Sequence, residues 1–96
     1  MYFVAKIKWI SFEKGGRRLL PKQGTRYCPL IRIKDSNKNF DWSIDFVCPD
    51  FMTTNEITFK FLVDNGPEYL TRIGEQYELY EGKRKVAKIT IIKSVK

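Results

Sequence analysis

The segment Lys14-Gly15-Gly16-Arg17-Arg18 carries the most chemical potential in this sequence. Two glycines leave main chain exposed and flexible, and two arginines present planar forks that match phosphate oxygens. Lys22 and Arg26 continue the basic run. A second basic turn, Lys83-Arg84-Lys85, follows Glu81-Gly82 near the other end. Tyr27 and Tyr80 flank these segments and offer rings that can stack on a base or a ribose. The chemistry implied is contact with a polyanion. A pair of solvated basic turns would read the same way, because bases on turns are common on any surface.

Other constellations are weaker. Asp41 and Asp45 share a face with Ser43, but alternation along a strand sets their α-carbons about 13 Å apart. That is far for cooperation at one reacting centre, and an ordinary wet strand face accounts for them. Glu75, Glu78 and Glu81 read as exposed strand and turn residues. The chain has no histidine, which removes catalytic triads, histidine zinc sites and an unperturbed base near neutrality. Two cysteines, Cys28 and Cys48, are too few for a disulfide scaffold or a cysteine-only zinc site. They are expected to be reduced thiols. No phosphate-binding loop, dinucleotide motif or metal-ligand spacing is visible, so no cofactor and no catalysis are expected.

The charge is divided along the chain. The 96 residues carry a net +7. Residues 1–34 hold nine bases against Glu13 alone, residues 35–81 hold three bases against ten acids, and residues 82–96 hold six bases and no acid. A fold that brings the ends together would oppose a cationic face to an anionic one and attract polyanions. No stretch approaches the ~20 apolar residues of a membrane span. Lys6 and Lys8 interrupt any apolar leader, so a cytoplasmic location and no membrane contact are expected.

These residues need elements to position them, and the dominant period is two. Phe40, Trp42, Ile44, Phe46 and Cys48 alternate with Asp41, Ser43 and Asp45, which predicts a half-buried strand. Ile57, Phe59, Phe61 and Val63 repeat the alternation, with Glu56, Thr58, Lys60 and Asp64 opposite. Phe3, Ala5, Ile7 and Trp9 do the same near the start. Tyr27–Lys34, Gln76–Tyr80 and Lys85–Lys93 are further strand-like runs, and Pro29 implies an edge, a strand start or a bulge. The separators are Gly15-Gly16, the polar cluster within 34–39, Asn65-Gly66-Pro67 and Glu81-Gly82-Lys83. At 43% hydrophobic, the chain can build one core, and residues 1–96 are read as a single domain. Phe40, Trp42, Phe46, Phe59, Phe61 and Trp9 are expected inside it. Six strands and no helix imply a small closed barrel or sandwich. A barrel also removes open edges.

Two segments resemble a known family. Gly15-Gly16-Arg17-Arg18, then Gly24-Thr25-Arg26, resembles the Gly-Gly-Arg-His … Gly-Tyr-Arg stretch that opens the C-terminal β-barrel of elongation factor Tu. Gly74-Glu-Gln-Tyr77-Glu-Leu79-Tyr-Glu81-Gly82-Lys-Arg84 resembles that family's Gly-Leu-Arg-Phe-Ala-Ile-Arg-Glu-Gly-Gly-Arg. Met52–Val63 sits where the family has Met-Pro-Gly-Asp and its next strand. The resemblance implies an all-β, six-stranded antiparallel Greek-key barrel. It also implies that Arg17 and Arg18 face phosphates of a tRNA stem, and that Glu81 and Gly82 meet its minor groove. Arg18 stands where the family has histidine, Cys28 where it has glutamine, and Asn37 where it has threonine. Thr53-Thr54-Asn55 replaces Pro-Gly-Asp. The chain is too short for the family's GTPase domain, so no nucleotide partner is expected.

Two readings follow. One is a non-catalytic barrel that binds RNA, tRNA or rRNA, through the basic loops 14–26 and 82–88. Its interface would comprise Lys14, Gly16, Arg17, Arg18, Arg26, Glu81, Gly82, Lys83, Arg84 and Lys85. The other is a protein-interaction module that mimics the elongation-factor domain and binds no nucleic acid.

Overall fold

Period-two alternation is realised as seven strands in the computed structural model, which describes residues 1–63 and 66–95. They are β1 (Tyr2–Trp9), β2 (Arg26–Tyr27), β3 (Leu30–Asp35), β4 (Lys38–Val47), β5 (Glu56–Phe61), β6 (Gln76–Glu81) and β7 (Arg84–Val95). Two single 3-10 turns, Phe12–Lys14 and Glu68–Leu70, lie in the connections. Asp64 and Asn65, expected on a strand face and in a turn, lie outside the described residues.

Every pairing is antiparallel, and six strands close on themselves in the order β1-β5-β4-β3-β6-β7, with β7 returning to β1. β3, β4 and β5 neighbour one another in sequence order, and β6 returns across residues 62–75 to lie beside β3. That spatial order is a Greek key. The extra strand β2 continues the β3 edge of β4. Arg26↔Val47, Tyr27↔Phe46 and Leu30↔Ser43 share one register. Pro29 lies between them. Its carbonyl accepts from Ile44 N at 3.0 Å, but it has no N–H to return, so the ladder is interrupted there.

The hairpins follow the turn chemistry. Ser36 and Asn37 both have positive φ, 51° and 66°, and join β3 to β4 as a type I′ turn, whose twist matches the flanking strands. Gly82, at φ 59°, starts the two-residue turn between Glu81 and Arg84.

The barrel interior is filled from all six strands, with Phe3, Ile7, Ile31, Ile44, Phe46, Phe59, Leu79 and Ile89 among the buried residues. Register shifts lie between Val4 and Ala5 and between Leu79 and Tyr80. The second leaves Val86 without a partner on β6 and explains why the consecutive Val86 and Ala87 are both buried. Three sequence expectations need correction. Phe40 is 45% exposed, because the β3–β4 hairpin carries it to the rim of the barrel. Val63 is exposed because β5 ends at Phe61. Gly16 is buried rather than exposed and flexible. Among the described residues, no helix is long and apolar enough to cross a membrane.

Candidate functional site

The loop after β1 and the β6–β7 turn meet at one end of the barrel. Ile10 N donates to Val86 O at 2.9 Å, so the chain leaving β1 stays against β7. The 3-10 turn at Phe12–Lys14 then folds back. Lys14 N and Gly16 N both donate to Ser11 O, at 3.0 and 2.9 Å. This brings Gly16 onto the Ile10 carbonyl, a Cβ-free approach that only glycine makes.

Arg17 is thereby aimed at Glu81. Its guanidinium Nη1 donates to Glu81 Oε2, its Nε donates to Leu19 O at 2.9 Å, and its Cζ sits 5.4 Å from the centre of the Tyr27 ring. The Tyr27 hydroxyl donates to the same Glu81 oxygen. Tyr27 packs in turn on Phe46 and Trp9, and Trp9 meets Phe51 edge-on at 5.3 Å. The Trp9 indole nitrogen is buried with no hydrogen-bond partner among the described residues. Burial pushes the Glu81 carboxyl up, but the hydrogen bonds from Tyr27 and Arg17 outweigh it and leave it lowered. Burial, then the bond to Glu81, raises Tyr27, which stays protonated and donating.

The ten sequence candidates therefore divide. Arg17 and Glu81 neutralise each other, so Glu81 is a positioning residue for the loop and not a free contact. Arg26 forks onto Asp45 at 2.8 and 3.1 Å. Lys85 pairs with Glu78 at 2.6 Å, away from Glu81. Gly16 and Gly82 shape the backbone. Lys14, Arg18, Lys83 and Arg84 are exposed and have no ion-pair partner among the described residues, with Arg18 lying 5.3 Å over Phe12. Arg84 is close enough to Glu81 to help hold its carboxyl down.

Two cations were absent from the residues named for the interface, although the basic segment 82–88 ends on one of them. Lys8 and Lys88 are direct cross-strand partners on β1 and β7. With Lys14 they line a cavity of about 370 Å³ that has no carboxylate in its wall among the described residues. Opposed like charges on a strand pair cost stability. The outward alternation of Lys6 and Lys8 was readable, but the pairing of β1 with β7 was not.

The carboxylates are also more engaged than their alternation implied. Arg32 forks onto its cross-strand partner Asp41 and lies 4.0 Å over the Tyr80 ring. Hydrogen bonds from Arg32, Arg26 and Lys85 hold Asp41, Asp45 and Glu78 below their ordinary values. Depressed folded-state values mean the unfolded chain binds more protons in acid. Stability from these pairs is complete above the ordinary carboxylate range and is lost as pH falls through the depressed values. Urea midpoints should therefore fall between pH 6 and pH 3, and Asp45→Asn should lower the pH 6 midpoint and flatten that profile. Cys28 and Cys48 are free thiols, raised in pKa mainly by burial and thus poorly nucleophilic.

A scan of protein-family models and a search of the curated proteins give no match to this chain.

Proposed function

We propose that this chain is a non-catalytic barrel that binds RNA through the end formed by the β1 loop and the β6–β7 turn. The observation that carries this reading is the convergence of Lys8, Lys14 and Lys88 on one cavity that no carboxylate lines among the described residues, with Arg18, Lys83 and Arg84 on the loop and turn that follow. Lys8 lies directly opposite Lys88, whose other cross-strand partner is Glu78, and a bound anion would relieve the repulsion that Glu78 leaves between the two lysines. The resemblance of Gly15–Arg18 and Gly74–Arg84 to the C-terminal barrel of elongation factor Tu supports the same face, since there the corresponding loops lie near a tRNA stem. Arg26 and Lys85, already paired with Asp45 and Glu78, contribute less than the sequence implied.

Affinity would come mainly from counterion release and fall steeply with salt. A titration of an RNA hairpin at several salt concentrations tests it. Arg18→Glu with Arg84→Glu should weaken binding by tenfold or more, roughly the scale of two lost phosphate contacts, and flatten the salt slope by about two units. Unchanged binding in the double variant would remove the reading. The exposed Leu19 and Leu20, in the same loop, favour the alternative of a protein partner. Capture that survives nuclease treatment, together with no hairpin binding, would select it.

A further inference from the structure

A second feature lies where the barrel wall parts. β3 runs to Asp35 and β6 starts at Gln76, yet their pairing stops at Arg32↔Glu78. Beyond that pair the strands diverge around a groove of about 590 Å³. Arg32 and Glu78 on its wall are committed to Asp41 and Lys85. The charges left to it are Lys34 and Arg72 against Glu75, with Lys88 directly opposite Glu78 and helping Lys85 to hold that carboxyl down.

The groove leads to aromatic rings. It shares Ile33 and Leu70 with a small adjoining cavity lined by Asp35, Phe40, Trp42 and Tyr69. Tyr69 is 77% exposed, and Phe40 is the residue that the inward alternation failed to bury. The segment carrying Tyr69 and Arg72 is braced. Tyr77 donates its hydroxyl to Leu70 O at 2.9 Å and accepts from Arg72 N at 3.0 Å. The buried Thr71 hydroxyl donates to Pro67 O at 3.0 Å. A large ring held in water on a braced turn, near Lys34 and Arg72, which have no ion-pair partner among the described residues, is what a base-stacking platform requires.

Lys88 joins the two features, because it lines both this groove and the cavity shared with Lys8 and Lys14. A run of cations, Lys14, Lys8, Lys88, Arg72 and Lys34, therefore forms a track from the loop end along the groove, and the Phe40–Tyr69 rim, where Asp35 stands, adds rings rather than positive charge. We propose that this track holds an unpaired stretch of RNA, with phosphates on Lys88, Arg72 and Lys34 and a base stacked on Tyr69. The inference rests on the RNA reading above and adds that the ligand includes a single-stranded segment. A duplex keeps its base faces stacked inside and cannot offer them to an exposed ring.

Fluorescence anisotropy with a labelled oligouridylate of about twelve nucleotides, within the span of small barrels that bind single strands, tests it on the full chain. Tyr69 and Arg72 are exposed, so Tyr69→Ala and Arg72→Glu should fold normally. Each should weaken the oligouridylate about tenfold, while binding of a blunt RNA duplex through the loop end stays within twofold. Tyr69→Trp should restore the affinity. Wild-type oligouridylate binding in both Tyr69→Ala and Arg72→Glu would overturn the groove and leave the loop end standing. An unaltered hairpin affinity in the Arg18–Arg84 double variant would overturn the loop end, and the single-strand result would still judge the groove. A polyglutamate peptide that competes as well as oligouridylate would also overturn the proposal, since it has charge but no base to stack.

Discussion

Phe59→Ala is expected to lower the unfolding free energy by about 3–5 kcal/mol. Phe59 is fully buried on β5, and its cross-strand partner is Phe3. The two rings are stacked with centroids 5.4 Å apart, and Phe61 meets both edge-on at 6.1 Å. Truncation removes the transfer energy of the ring and leaves a cavity walled by strands that are hydrogen-bonded on both sides and cannot collapse into it. A domain of this size has only about 5–15 kcal/mol in total. The melting temperature should therefore fall by more than about 10 °C. Phe40→Ala is the control, since that ring sits at the barrel rim and is partly in water. Equal losses for Phe59→Ala and Phe40→Ala in thermal or urea unfolding would contradict the assignment of inside and rim.

Gly16→Ala should cost about 3 kcal/mol or more, at the top of the range for overpacking. A Cβ there would lie 1.8 Å from the Ile10 carbonyl oxygen and 2.6 Å from its carbon. Both are backbone atoms. Ile10 cannot retreat without giving up its bond to Val86 O, and Gly16 cannot retreat without losing its bond to Ser11 O. The loop must lift from the barrel, and Arg17 then leaves Glu81. Two readouts should move together: a lower urea midpoint, and a weaker hairpin affinity as Lys14 and Arg18 lose their fixed positions. A stable variant with normal hairpin binding would show that the loop does not need this contact.

Much of the barrel was legible because the barrel writes its interior at period two. Ile57-Thr-Phe59-Lys-Phe61 can bury one face only as a strand, and Asp35-Ser36-Asn37-Lys38 and Glu81-Gly82-Lys83 carry the residues that tight turns need. Phe40 was misplaced for a physical reason. Alternation reports which face a residue takes, not how far along the strand the covering layer extends, and the core stops short of the β3–β4 hairpin. Gly16 was misread because two adjacent glycines look alike in sequence. Gly15 supplies a φ of 96°, whereas Gly16 supplies the absence of a side chain.

The site was legible in part. The sequence by itself determined the strands, their wet and dry faces, and the concentration of positive charge near both ends. These depend on residue type and spacing over a few positions, which local propensity and burial dictate. Tertiary structure alone decided which charges are free. Arg17, Arg26 and Lys85 are spent on Glu81, Asp45 and Glu78, residues 64, 19 and 7 positions away. Lys8 and Lys14 share a cavity with Lys88 at the closure between the first strand and the last, and Glu78 flanks Lys88 on its other side. Coulombic pairing acts over a few ångströms, and strand register sets those distances between residues that no local pattern connects.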